Sequence, residues 1–165
     1  MLLIDKKNMK KILKYIFLIF ISLSIVSCGF QLRGSDKLNF ETISIVGGSP
    51  EFTKLLKKRF KQSKVKIETK NAQKSLEITN DTFSKKILSL SSSGKVKEYQ
   101  ITYKVSFRVK LNNGEWGDPI NIETIRDYTY DDKNIIAKTE EESRLIEGMQ
   151  EQLIRTIVTR ISVSK

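Results

Sequence analysis

The 165-residue chain has no histidine and a single cysteine. Catalytic triads that need an imidazole base are excluded, as is histidine-ligated zinc, and a lone cysteine closes no internal disulfide. The eight glycines never form the pattern of a phosphate-cradling loop. Internal repeats and low-complexity blocks are missing too. Acidic neighbours occur at Asp131-Asp132 and across Glu140, Glu141 and Glu142. The first suits a turn. The second suits the first turn of a helix, where negative charge complements the positive end of the dipole. No catalytic residue, metal ligand or cofactor-binding motif is assigned, and the expected protein is not an enzyme.

What the chain has in quantity is positive charge. Lys and Arg number 30 against 19 Asp and Glu, a net +11, of which +4 lies in residues 1–27. Lys6, Lys7, Lys10, Lys11 and Lys14 form a basic head. The apolar run that follows over residues 15–26 is interrupted only by Ser22 and Ser24, and it is shorter than the ~20 residues that span a bilayer. Ile25, Val26 and Ser27 close the run directly before Cys28. A free cysteine is ordinarily a small buried hydrophobe. These flanks instead resemble the bacterial lipoprotein box, in which the thiol receives a diacylglyceryl group and cleavage makes the cysteine the N-acylated mature terminus.

The expectation is a cleaved signal peptide over residues 1–27, a lipidated tether over 28–39 and one domain over 40–165. Each buried methylene contributes ~0.8 kcal/mol, so several acyl chains hold a soluble fold durably on a bilayer. Bacterial lipoproteins with aspartate after the cysteine tend to stay at the inner membrane; here that residue is Gly29, which favours the outer membrane. For an exported protein the remaining +7 points to anionic headgroups, glycans or a polyanionic partner, not to nucleic acid. A lysine-rich composition that only aids solubility is the plain alternative.

The domain reads as α+β. Ile43 and Ile45 share one side of a first strand within residues 40–46, and Gly47-Gly48-Ser49-Pro50 ends it. Ser49 is a good N-cap and Pro50 suits the first helical position. A helix to about Gln62 follows, with Phe52, Leu55, Leu56 and Phe60 on its apolar stripe. Lys54, Lys57, Lys58, Arg59 and Lys61 surround that stripe, and a solvated outer face is the simplest reading of them. Residues 65–68 suit a short strand, and residues 76–90 one bent strand or two. Then comes the clearest signal: Tyr99, Ile101, Tyr103, Val105, Phe107, Val109 and Leu111 alternate with polar residues, a period of two that predicts a long antiparallel strand with one buried face. Asn112-Asn113-Gly114 supplies a tight hairpin, and the chain returns over 116–130. Thr139 and Glu142, at capping-box spacing, predict a second helix opening around Lys138. Leu145, Met149, Leu153, Ile157 and Ile161 give it one apolar stripe. The expected architecture is two helices packed on one face of a mostly antiparallel (mixed) β-sheet of about four strands.

Strand direction adds an inference about chemistry. A chain running down through 76–90, up through 99–111 and down through 116–130 puts the loops at 91–97 and 131–138 at one end of the sheet. Lys95, Lys97, Lys133 and Lys138 would then gather there, a plausible site for phosphates, which lysine binds as a point charge. Chance gathering of surface lysines is the alternative.

Cys28-Gly29-Phe30-Gln31-Leu32-Arg33-Gly34 resembles the mature start of the LptE family of lipopolysaccharide-assembly lipoproteins. Gly94, Glu98-Tyr99, Arg126 with Tyr128, Ala137-Lys138, Glu141 and Glu151-Gln152-Leu153-Ile154 match that family in the right order across the mature chain. The resemblance implies a non-enzymatic plug inside the lumen of the outer-membrane β-barrel LptD, which assists barrel assembly and binds lipopolysaccharide on its way to the outer leaflet. It also singles out Lys138, through the family's Ala-Lys, for lipopolysaccharide contact. Family members with a basic residue two positions before the loop glycine use it in that contact. Here the position is Ser92, so the role would pass to Lys95 or Lys97. An outer-membrane lipoprotein that binds an anionic glycan or envelope partner without a barrel is the competing expectation.

Overall fold

The computed structural model describes residues 38–110 and 114–164. Cys28, the signal peptide and Asn112-Asn113 lie outside the described residues. The elements are β1 (Thr42–Gly47), α1 (Pro50–Gln62), β2 (Lys66–Ile67), β3 (Lys74–Leu90), β4 (Val96–Val109), β5 (Ile120–Thr129), a 3-10 turn (Asp132–Asn134) and α2 (Ile135–Val163). They form one five-stranded sheet in the order β2-β1-β3-β4-β5. β1 runs parallel to both its neighbours, and β3, β4 and β5 are antiparallel. The α+β architecture expected from the sequence is thus observed, with the two-residue β2 as the fifth strand.

One hydrophobic core lies between the sheet and the helices. β4 delivers Ile101, Tyr103, Val105, Phe107 and Val109 to it, all buried. Along α1 the buried residues are Phe52, Leu56 and Phe60, and along α2 they include Met149, Leu153, Ile154, Ile157, Val158 and Ile161. Burying a side chain of this size contributes roughly 1.5–3 kcal/mol, so these apolar stripes decide which face each element turns inward. The turn from β1 into α1 requires glycine. Gly47 has φ +73° and a Cβ there would sit 2.2 Å from the Ile78 carbonyl oxygen, so no other residue fits without moving β3.

β3 is a single strand, and two bulges explain its irregular sequence pattern. Register slips between Ile78 and Asn80, and again between Ile87 and Ser89. The extra residue Thr79 changes the parity of the strand, since a one-residue shift sends every later side chain to the other face. Leu76 and Ile78 therefore share the helix side with Asp81, Phe83, Lys85 and Ile87, which pair across with Val105, Tyr103, Ile101 and Tyr99.

The second helix begins earlier than its capping-box spacing suggests, at Ile135. The Thr139 hydroxyl donates to the Ile135 carbonyl at 2.9 Å inside the helix, and Glu142 is engaged by Lys85 and Tyr128 instead of a cap. Asp131 sets the start: its side chain accepts from the Lys133 N–H at 3.0 Å and from the Asn134 amide at 3.2 Å, tightening the 3-10 turn that feeds α2. Ile135 and Ile136 are 55% and 80% exposed, so the first turn leaves no trace in the apolar pattern.

Candidate functional site: the lysine end and the open face of the sheet

The loops after β3 and β5 do share one end of the sheet. The Tyr130 N–H donates to the Lys97 carbonyl at 2.8 Å, and Lys95 Nζ lies 2.6 Å from Asp132 Oδ2. Lys133 follows Asp132 directly, and Lys138 Nζ reaches Thr129 Oγ1 at 3.4 Å. All four sequence-predicted lysines are brought together here. Two of them are already matched by carboxylates: for Lys138 this is the plain alternative that the nearby Glu141 offers in the sequence, whereas strand counting does not foresee the Lys95 pairing. Lys95 pairs with Asp132, and Lys138, its side chain 20% exposed, pairs with Glu141 at 2.8 Å. The hydrogen bond and charge of Asp132 raise the Lys95 pKa, and the same bond lowers that of Asp132. Lys97 and Lys133 are exposed and form no ion pair among the described residues.

The opening of α2 adds positive potential at this end of the sheet. Its first turn has no acidic residue, and the N-cap Asn134 makes no side-chain hydrogen bond to the helix. Free N–H groups and the positive end of the dipole point towards this end of the sheet, beside Lys138. The half-buried Lys138–Glu141 pair joins residues three apart on one helix, a spacing worth only about 0.2–0.5 kcal/mol, so the glutamate is not a strong competitor for the lysine.

Behind the lysines stands a cluster that sequence reasoning missed. Lys85 Nζ sits 4.2 Å from the centre of the Tyr99 ring and 2.6 Å from Glu142 Oε2, and the Tyr128 hydroxyl donates to the same carboxylate oxygen at 2.6 Å. Tyr99 also meets Tyr130 edge-on at 5.2 Å. Burial pulls the Lys85 pKa down, but the hydrogen bond and charge of Glu142 outweigh it and leave the lysine raised. Burial likewise pushes Glu142 up, and its bonds to Lys85 and Tyr128 hold it below the usual carboxylate range. The cluster ties β3, β4, β5 and α2 together at this end. The one sequence signal for it is the hairpin register, which sets Tyr99 opposite Tyr128.

The face of the sheet away from the helices is polar and open. Gln100, Thr102, Lys104, Ser106 and Arg108 of β4 lie along it, beside Asn121, Glu123, Ile125 and Asp127 of β5. Most are tied in cross-strand pairs. Gln100 donates to Asp127 at 2.9 Å, Ser106 to Asn121 at 2.5 Å, Lys104 faces Glu123 at 3.1 Å, and Arg108 bonds Glu77 while lying over the Trp116 ring. Among the described residues both helices pack on the other face, and no helix is long and apolar enough to cross a membrane.

The lipopolysaccharide-assembly family LptE matches residues 40–161, the whole of this folded domain. The chain belongs to the LptE family. Its role therefore lies in lipopolysaccharide assembly, and it is a lipoprotein by that membership. Solved structures agree. Rare lipoprotein B from Shewanella oneidensis is 31% identical with a TM-score of 0.65, the match covering 73% of this chain and 93% of that one. An uncharacterized lipoprotein B from Nitrosomonas europaea is 26% identical with a TM-score of 0.68, covering 81% and 90%. A minor lipoprotein from Acinetobacter baumannii, 20% identical with a TM-score of 0.60 over 76% and 92%, shares the fold. Comparison with curated protein sequences returned no match.

Proposed function

We propose that this LptE-family chain is a non-enzymatic outer-membrane lipoprotein, held by lipid on Cys28, that fills the lumen of the LptD β-barrel, assists its assembly and binds lipopolysaccharide during delivery to the outer leaflet. The family match over the entire folded domain carries the reading. Two features of the fold support it. A sheet face of mostly paired polar side chains suits the polar interior wall of a large barrel. At the end of the sheet, Lys95, Lys97, Lys133 and Lys138 surround a helix N-terminus that is free of acidic residues in its first turn, an arrangement suited to lipid-borne phosphates. Ser92 is exposed in the same loop, and Lys97 is the unpaired cation best placed to take over a basic contact there.

Site-specific photo-crosslinking tests the lipopolysaccharide half of the proposal. A crosslinker at Lys97 or Lys133 should capture lipopolysaccharide in cells, and one at Lys66, on the short strand β2, should not. Capture at neither loop position, with the folded protein present in the outer membrane, would overturn it.

A further inference from the structure

β3 is longer than the strand that pairs along its outer side. β1 follows it only from Lys74 to Ile78, where it meets Gly47, and the chain then turns into α1. From Asn80 to Leu90, β3 is paired on its β4 side alone among the described residues. The two bulges bracket this stretch, and the register between Asn80 and Ile87 is regular. Every residue from Thr82 to Leu88 is exposed, Phe83 by 41% and Ile87 by 54%.

Hydrogen-bond parity identifies the open backbone groups, because successive residues of an antiparallel strand bond alternately to one neighbour and to the other. The Val109 and Lys97 carbonyls accept from Gly117 at 3.0 Å and from Tyr130 at 2.8 Å, so odd-numbered residues of β4 bond towards the β5 side. The Lys110 N–H donates to the Ser75 carbonyl at 2.9 Å, so even-numbered ones bond towards β3. Phe83, Lys85 and Ile87 stand opposite the odd-numbered Tyr103, Ile101 and Tyr99. Their N–H and C=O groups therefore point away from β4, along the open edge, while their side chains lie on the helix side.

The other long edge is guarded. In β5, Arg126 donates to the outward Ile125 carbonyl at 2.8 Å and to Gln152 of α2 at 2.7 Å, and Tyr128 is tied to Glu142. The β3 edge has no such cover. It carries no proline, since the two in the chain are Pro50 and Pro119, and Lys85, the cation that could shield it, is turned to Glu142 at 2.6 Å. Beside this edge α1 and α2 part to leave a surface pocket of about 590 Å³, lined in part by Leu55, Phe83, Tyr103, Ile146 and Gln150.

Open N–H and C=O groups at a two-residue repeat, with a partly apolar pocket beside them, match an extended peptide. Lipid headgroups and sugars do not repeat their polar groups at the strand spacing. In strand addition the main chain supplies affinity and the pocketed side chain supplies specificity. A closed barrel wall spends its backbone groups on itself, so only a loop that enters the lumen can offer a free strand. We infer that the Phe83–Ile87 edge of β3 is a strand-addition site for such a loop of the barrel subunit, with an apolar side chain of the loop entering the pocket between α1 and α2. The inference rests on the reading of this chain as the plug of LptD, and it gives that contact a place and a register.

The test compares hydrogen exchange, resolved to single amides by fragmentation mass spectrometry, in the lipidated protein alone and in its barrel complex isolated from outer membranes. The backbone amides of Phe83, Lys85 and Ile87 should exchange freely in the protein alone and at least about tenfold more slowly in the complex, while those of Ser84 and Lys86, bonded to β4, are slow in both. Ile87→Pro removes one open donor without breaking the β4 ladder, so it should keep Tm near wild type and lower the yield of complex severalfold. An intact complex in which the three amides exchange as fast as in the protein alone would overturn this inference and leave the plug reading standing, as would a full yield of complex with Ile87→Pro. Failure to recover any complex with the wild-type chain would overturn the plug reading and this inference with it. Protection already present in the protein alone would also overturn the inference: if it rose with concentration the edge would belong to a second copy, and if it did not, to another segment of this chain.

Discussion

Replacing Asp81 with alanine should loosen α1 from the sheet. Asp81 stands on the helix side of β3 only because the bulge at Thr79 turns it there, and three hydrogen bonds end on its carboxylate. The Ser49 N–H donates to Oδ1 at 2.8 Å, the Ser49 hydroxyl donates to Oδ2, and the Tyr103 hydroxyl approaches Oδ2 at 3.4 Å. Tyr103 in turn accepts from Gln150 Nε2 at 3.2 Å, so the network joins the N-cap of α1 to β3, β4 and α2. A hydrogen bond to a charged group is worth about 1.5–3 kcal/mol. The Tyr103 contact is long and water can reach part of the site, so the whole set should amount to about 2–3 kcal/mol. For a domain of this size that lowers Tm by about 10 °C. Asp81→Asn keeps one acceptor for the Ser49 N–H and should lose about half as much. Thr82→Ala, one residue along on the open face, should stay within about 0.5 kcal/mol of wild type. Urea unfolding followed by circular dichroism measures all three. If Asp81→Ala matched Thr82→Ala, the apolar stripe of α1 would be holding the helix unaided and the reasoning would be wrong.

Other outcomes follow from the same structure. Val105→Asp or Phe107→Asp should prevent folding, because an unpaired charge would enter the core, whereas Ser106→Asp on the open face should melt near wild type; equal losses in all three would invert the assigned faces. Glu142 has its pKa lowered in the folded state, so its contribution is present above the ordinary glutamate pKa of about 4.3 and is lost as pH falls through the lower folded value. Glu142→Gln should therefore be less stable than wild type at pH 7, with the gap closing in acid, and parallel acid-unfolding curves would refute this. Lys138→Asp should weaken lipopolysaccharide binding and make it less salt-dependent without changing Tm; unchanged affinity would leave Lys138 as no more than the partner of Glu141.

Much of this fold could be read from the chain because burial on one face imposes a period. In β4 the alternation runs unbroken, and every inward residue from Ile101 to Val109 is buried. In α1, Ser49 and Pro50 mark the start and the structure agrees to the residue. The start of α2 was hidden because its first turn buries nothing and is set by Asp131, outside the helix. In β3 the parity switch at Thr79 carries no composition signal, so neither the inward turn of Asp81 nor the placement of Lys85 beside Tyr99 could be counted from the sequence. The four loop lysines were gathered correctly by strand direction. Their pairing with Asp132 and Glu141 depends on side-chain choices among nearby carboxylates, which topology does not fix.

Isolation of the lipidated protein from detergent-solubilised outer membranes tests the central claim most directly. The account predicts a stable one-to-one complex with a much larger β-barrel protein, identified by mass spectrometry as LptD, that survives high salt. A correctly lipidated, folded chain that elutes alone, with the barrel present in the same membranes, would contradict it.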